Sequence, residues 1–451
     1  MTKRSYRGFA LIFLLASYTA ASGQTVFLDV DVIPMTTESV LSRQAVIVED
    51  GRIVQIVSAD QYTPRAGATV IDGSGKYLVP GWAEMHAHIP TPTDGDDSNV
   101  RETLFLYLAN GITTIRGMLG DPYHLELKKQ IDQGAFPSPR VYTSSPSLNG
   151  NSISTKEEAK QKVTQYKQDG YDFLKVHPGI QKDVFDEMVA TANAVGIDFS
   201  GHVPADVGIR HAIASNYASI DHLDGYIEGL APEEKRKDGG FFGVLLHNHL
   251  DESKISELVH STKEAGIAIV PTQTLMTRWL LPGSAEAMVN EPEMKYIPGS
   301  LRYTWRQSKE RMMENLDYEE AGYRQFIQVR EKVLKALHDA GVPLLLGSDA
   351  PQVANVPGFS IHHEMQDMID VGLSPQQVLR TGTVNVATFF NRSDEFGTIE
   401  PGKIADLVLL SNNPLEDISH AQEIEGVMYR GHWLSKEYIQ DRLRKIAKQY
   451  E

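Results

Sequence analysis

Apolar positions between residues 26 and 76 come in short runs of β type, broken by turn residues. The run 44–48 is followed by Glu49-Asp50-Gly51-Arg52 and then by a second run at 53–57, which predicts a hairpin. The same texture returns at 405–410 and 426–429, after Gly397 and Pro401-Gly402. The two ends of the chain are therefore expected to pair into one small β-sandwich, built from residues 24–76 and 392–436, with a helical tail at 437–451. Residues 77–391 read differently, as β-type runs alternating with amphipathic helices such as 156–168, 182–195, 254–265 and 326–340. The strand candidates end near His88, Met118, Ser145, His177, Val203, Leu223, Gln273 and Asp349. That is the number a (β/α)₈ TIM-type barrel requires. The stretch 275–315 is too long for a simple connection and predicts lid or pocket structure. A doubly wound open sheet is the rival α/β fold, but it gives no reason for polar residues at the ends of so many separate strands.

With 451 residues, of which 41% are hydrophobic, the chain has room for one large domain and a smaller one. Lys3, Arg4 and Arg7 precede an apolar run at 9–15 and then Ala20-Ala21-Ser22-Gly23, the layout of a secretory signal peptide over residues 1–23. That apolar run falls short of the ~20 residues that span a bilayer. The expectation is an exported protein, periplasmic or secreted, with no membrane association once the signal is removed. There is no cysteine, so disulfides and thiolate metal ligands are excluded. Any metal must be held by histidine, carboxylate or a modified lysine. A net charge of −16 disfavours a nucleic-acid partner. The one basic cluster, around Arg442, Arg444, Lys445 and Lys448, is interleaved with acids and reads as a solvated helix. A homo-oligomer is left open.

His86 and His88 follow an apolar run and are two apart, so on a strand both imidazoles point to the same side and can reach one ion. Spacing alone is weak: with 15 histidines, chance gives roughly 0.5 His-x-His patterns per chain. His247-Asn248-His249 has the same spacing but follows no strand-like run, and is read as a surface loop. The force of the first pair comes from Lys175, His202, His222 and Asp349, each at the C-terminal end of a different strand candidate. In a barrel those ends converge on the face where chemistry is done. A backbone-bonded histidine, a lysine paired with Asp172 or an aspartate capping a helix would explain any one of them, but not the whole set. Arg116, ending the second strand, is a candidate partner for a substrate carboxylate. His177 shares the strand face of Lys175 and is a candidate substrate contact.

Several segments together resemble the metal-dependent amidohydrolase superfamily. They are Val79-Pro80-Gly81-Trp82-Ala83-Glu84-Met85-His86-Ala87-His88, Asp172-Phe173-Leu174-Lys175, Gly201-His202, Asp221-His222, Gly347-Ser348-Asp349-Ala350, residues 358–364, and Thr398-Ile399-Glu400-Pro401-Gly402-Lys403-Ile404-Ala405-Asp406-Leu407. The chain is most similar to the imidazolonepropionase-like and prolidase-like branch. The resemblance implies two divalent ions, zinc being the expected metal. His86, His88 and Asp349 would hold one, His202 and His222 the other, with Lys175 N6-carboxylated to a carbamate bridging them. A protonated lysine would be repelled by two cations, whereas a carbamate offers them an anion. A metal-bridging hydroxide would attack the amide of a small substrate, such as a dipeptide or N-acyl amino acid. Asp349 would then shuttle the proton to the leaving nitrogen. The resemblance also implies a hydrogen bond from Tyr226 to the tetrahedral intermediate. It includes His363 and Glu364 without giving either a role. Cyclic amides, lactones and phosphotriesters could present an electrophile to the same hydroxide. Deamination of a heterocycle is the rival reaction, but the ring-protonating glutamate it uses three residues after the fifth-strand histidine is here Ala205. A barrel that only binds its ligand would need some member of the set to be missing.

Overall fold

The alternation in the first fifty described residues gives β1 (Thr25–Val32), β2 (Leu41–Glu49) and β3 (Arg52–Ser58). A computed structural model describes residues 23–315 and 317–450; the expected signal peptide, apart from Gly23, lies outside the described residues. Asp50 and Gly51 join β2 to β3 with φ of 49° and 77°, the pair of positive values a type I′ hairpin needs. A Cβ at position 51 would stand 2.9 Å from the Arg430 carbonyl oxygen, so only glycine fits there. Next come β4 (Thr69–Asp72) and β5 (Tyr77–Pro80), both parallel to β1.

The central region supplies β6 (Trp82–Ala87), β7 (Ile112–Gly117) and β8 (Arg140–Thr143), which form one parallel sheet in that order. A second parallel sheet runs β12-β11-β10-β9, from β9 (Leu174–Val176), β10 (Phe199–Gly201), β11 (Ser219–Asp221) and β12 (Ala268–Val270). Parallel bridges Ser144↔Phe173 and Leu148↔Val176 tie the chain after β8 to β9. The bridge Ile269↔Leu344 ties β12 to the run 342–350, and Ala87↔Ala350 ties that run to β6. The fold is α/β, of the TIM-barrel type. The segment expected as an eighth strand ending at Asp349 contributes these single bridges rather than a regular strand. The seventh strand ends three residues before the expected Gln273, because Pro271 cannot donate to a ladder and Thr272 turns left-handed (φ 44°) into the helix Gln273–Leu280.

The helices expected between the strands are present. Lys156–Asp169 opens on a capping box of Thr155 and Glu158 and closes on left-handed Gly170. Lys182–Val195 ends at Gly196, and Glu320–Ala340 begins six residues before the expected start and ends at Gly341. The stretch 275–315 holds Ala285–Met288, a 3₁₀ turn at Pro292–Tyr296 and the long helix Gly299–Glu314. No helix among the described residues is long and apolar enough to cross a membrane.

The chain returns to the first sheet with β13 (Leu407–Leu410), β14 (Ile424–Tyr429) and β15 (His432–Ser435). The order is β15-β14-β13-β5-β1-β2-β3, with β4 on β1, so the two ends of the chain do pair, through β13 and β5. Hydrogen bonding links all these strands into one continuous sheet, and β5 belongs to it although residue 77 was expected to open the barrel. The tail forms the helix Lys436–Lys448, with Ile439 and Ile446 buried.

One ion pair joins the terminal sheet to the central strands. Arg140, on β8, reaches Asp406 at 3.0 Å and Thr114 Oγ1 on β7 at 2.9 Å, and the other Asp406 oxygen accepts the Arg430 amide. Both side chains are at most a tenth exposed. Asp406→Ala should lower the unfolding free energy by roughly 3–5 kcal/mol, because it strands a buried guanidinium. Urea denaturation measures this, and a loss under about 0.5 kcal/mol, the surface-substitution level, would contradict the assignment.

Candidate metal centre

Every residue of β6 is buried, and His86 and His88 leave its C-terminal end on the same side. Lys175 is the middle residue of β9, His202 follows β10, His222 follows β11, and Asp349 follows the apolar run 342–346. The structure brings these six side chains together. His86 Nε2 lies 3.4 Å from Lys175 Nζ and 3.6 Å from Asp349 Oδ1, and His88 Nε2 lies 2.9 Å from that same oxygen. The His222 ring is 4.4 Å from His86 and 4.6 Å from His202 between centroids. One ligand atom each from His86, His222 and Asp349 falls within 4.8 Å of the others.

The turns that carry these ligands are held in strained conformations. His222, Leu223, Thr272 and Asp349 have φ of 64°, 52°, 44° and 64°. Each such non-glycine residue costs about 1–3 kcal/mol and persists only where surrounding contacts enforce it. Arg330 is one enforcer: fully buried, it donates to the His222 carbonyl at 2.7 Å, the Pro271 carbonyl at 3.3 Å and Gln273 Oε1 at 3.0 Å. Glu84 is another, accepting from the His86 and Ser348 amides at 2.9 and 2.8 Å and so spacing the first ligand strand from the Asp349 turn.

Three of the rings have polar neighbours at Nδ1. His202 Nδ1 lies 2.9 Å from Asp224 Oδ2 and His222 Nδ1 2.8 Å from Thr272 Oγ1, both in hydrogen-bonding geometry, while His86 Nδ1 comes within 2.9 Å of Asp221 Oδ2 without making a hydrogen bond. Partners of this kind fix ring orientation and tautomer in metal sites. Burial keeps the imidazoles neutral, which is the form that binds metal: it pushes His202 down to about 3, and His86 and His222 well below the usual histidine value. The Lys175 ammonium is likewise destabilised, its pKa lowered to about 8 by burial. Asp349 Oδ1 is buried without a hydrogen-bond partner, although two imidazole nitrogens approach it. An orphaned carboxylate oxygen facing ring nitrogens is what a cation would satisfy. Imidazole and oxygen donors without thiolate fit zinc and similar divalent ions.

Other sequence-predicted residues stand elsewhere. Arg116 does not reach the mouth: it is fully buried, donating to the Met85 carbonyl, Ser219 Oγ and both oxygens of Asp221. It cannot anchor a substrate carboxylate. Tyr226 is also fully buried, its hydroxyl 2.6 Å from Thr262 Oγ1 in the helix Ile255–Glu264, so it does not face a tetrahedral intermediate. His363 Nε2 pairs with Glu293 at 2.8 Å, and Arg278 fills the space between Glu293 and Glu291. Glu364 accepts the Gln273 and Thr274 amides at the start of their helix. His247 and His249 end the 3₁₀ stretch Phe241–His249, and His247 is buried rather than in a surface loop, while Asp172 pairs with Lys128 and not with Lys175. His177 does lie at the centre, its ring 4.9 Å from His202. Sequence reasoning missed Asp221, Asp224, Thr272, Glu84 and Arg330. Asp221 and Asp224 flank His222 and could have been found as carboxylates beside a candidate ligand.

The sequence model described as the amidohydrolase family matches residues 77–434. The chain is 23% identical over 403 residues to an imidazolonepropionase of Geobacillus sp. (strain WCH70), spanning 82% of this chain and 84% of that relative. Among solved structures, the bottromycin amidohydrolase is similar with a TM-score of 0.72 at 21% identity, over 95% of this chain and 90% of that one. A Xaa-Pro dipeptidase with methionine bound in its active site gives a TM-score of 0.66 at 18% identity, over 92% and 100% of the two chains. At these identities the structural likenesses establish the fold.

The Arg116–Asp221 pair is a structural prop behind His86, and its removal should be felt as instability. Arg116→Met is expected to cost roughly 3–5 kcal/mol, by leaving the Asp221 carboxylate buried and unpaired. Denaturant melts test this; unchanged stability with a raised KM would return Arg116 to the substrate.

Proposed function

The chain belongs to the amidohydrolase family and is a hydrolase acting on carbon–nitrogen bonds; on that premise we propose that it cleaves the amide of a small substrate, such as a dipeptide or N-acyl amino acid. The observation that carries this reading is the convergence of four imidazoles, Lys175 and Asp349 on one largely buried spot at the strand ends. His86, His88 and Asp349 would hold one divalent ion, His202 and His222 a second, with zinc the expected metal. Lys175 as the free amine is a poor member of such a set, but burial prepares it for modification. With its pKa near 8, roughly one amine in ten is neutral at pH 7, against fewer than one in a thousand for an ordinary lysine. The neutral amine adds to CO₂ and loses a proton, leaving a carbamate whose two oxygens can face two cations. Export through the N-terminal signal is part of the same proposal.

Bound divalent ions supply Lewis acidity, polarising a carbonyl and acidifying a water toward neutral pH. The protein's own groups then handle the proton and the substrate. Asp349, which would also contact the first ion, takes the proton of the attacking water as the C–O bond forms. It returns that proton to nitrogen as the C–N bond breaks, without which the amine would be expelled as a poor leaving group. His177 addresses the developing oxyanion. Asn149 Nδ2 donates to Ser147 Oγ at 2.8 Å, and that hydroxyl lies 2.6 Å from His177 Nδ1; with the serine as the donor to Nδ1, the ring's hydrogen would stand on Nε2. Burial, first, and the nearby Lys175 hold this ring neutral, its pKa lowered to about 2, which suits a fixed donor rather than a shuttle.

Asp349→Asn keeps the shape of the side chain and removes the base. Turnover of amides should fall by about 10²-fold or more with metal content retained. Activated esters, whose leaving groups need no proton, should lose less. Metal analysis beside turnover of both substrate types tests this, and near-normal amide turnover in the metal-replete variant would show that the proton travels elsewhere.

A further inference from the structure

One wall of the mouth is aromatic and holds none of the groups that handle metal or proton. The Phe242 ring lies 5.4 Å from His222 and 5.9 Å from His202, stacked at 25° on the latter. Phe241 packs edge-on against Phe242 at 4.3 Å and against Trp279 at 4.9 Å. Phe241 is 45% exposed, and Phe242 and Trp279 are half-buried. The result is a continuous apolar strip running from two ligand rings outward to solvent. Neighbours fix its two ends: Trp279 sits in the helix that starts just after β12, and the phenylalanines open the 3₁₀ stretch after β11.

The backbone is contorted to put the strip there. Gly240 has φ 65° and ψ −152°, a region essentially closed to other residues, and Phe242 is left-handed at φ 50° and ψ 28°. Gly243 follows at φ 77°, where a Cβ would stand 3.0 Å from Ile227 Cγ2. A bulky residue in the left-handed region is an outlier that surroundings must enforce, and such outliers cluster at ligand sites. Here the conformation swings the Phe242 ring over His202 and His222. An exposed aromatic face continuous with a reacting centre calls for an apolar cover.

We propose that the Phe242–Phe241–Trp279 strip is the substrate's side-chain subsite, and that the amides this enzyme prefers carry an aromatic or large aliphatic group beside the scissile bond. This rests on the amide-hydrolase reading above. It also supplies recognition that Arg116, spent on Asp221, does not: apolar burial in place of a carboxylate anchor. Binding of this kind acts on ground state and transition state alike, so it should appear mainly in KM.

The test compares metal-loaded wild type with Phe241→Ala and Phe242→Leu on two amide series, one varying the acyl group on glycine and one varying the amino acid under an acetyl group. Phenylalanine-sized groups on one side should be favoured over glycine or acetyl by about tenfold or more in kcat/KM. Both variants should shrink that ratio through KM while thermal melts show them folded. Equal turnover of small and aromatic groups on both sides, or a ratio unchanged in both variants, overturns the subsite. If no amide is turned over, the hydrolase reading fails, and calorimetry then decides the subsite alone. Tighter binding of phenylacetate or L-phenylalanine than of acetate or glycine, lost in Phe241→Ala, supports it; equal binding overturns it.

Discussion

Ionisable groups taken out of water must lose their charge or find an opposite one, and the mouth of the central strands crowds Lys175, His86, His202, His222 and Asp349 into a space almost closed to solvent. Much of the surrounding architecture answers that constraint. The imidazoles resolve it by staying neutral, and Asp221 by accepting Arg116. Lys175 and the open oxygen of Asp349 are left over, one a destabilised cation and the other an unpartnered acceptor. A carbamate and divalent ions would resolve both at once, and the family implies the divalent metal.

The same constraint explains where strain is stored. Left-handed residues occur at His222, Leu223, Thr272 and Asp349, immediately after strand segments whose apolar side chains pack in the core. Rigid strands deliver the ligands to within a few ångströms, and the sharp turns then aim them. Arg330 and Glu84 keep those turns from relaxing by bonding to the backbone on either side. The aromatic strip repeats the arrangement one layer out, with glycines at 240 and 243 letting Phe242 lie over two ligand rings.

The convergence of the six candidate ligands was legible in the sequence because strands have a period of two and barrel chemistry gathers at their C-terminal ends; His86 and His88 needed little more. Depth along a strand was not legible. Arg116 and His86 are each the second-last residue of their strands, yet Arg116 turns into the interior because Asp221 and Ser219 wait there. Nothing in the spacing of Tyr226 revealed that Gly225, at φ 79°, turns the chain so that its hydroxyl meets Thr262. His247-Asn248-His249 was rightly set apart from the site, but the burial of His247 depends on Gly322, more than seventy residues away, whose Cβ would fall 2.4 Å from the ring. Pairing of the chain ends was readable from texture, whereas its route through β5, whose residues were expected in the barrel, and the continuity of that sheet depend on hydrogen bonds that local pattern does not encode.

The central claim is that Lys175 holds two cations together rather than serving as a buried amine. Elemental analysis of protein prepared without chelator and in bicarbonate tests it most directly, for wild type and Lys175→Ala side by side. The account predicts about two divalent ions per wild-type chain and a loss of at least one in the variant. About one ion per chain in both proteins would contradict it.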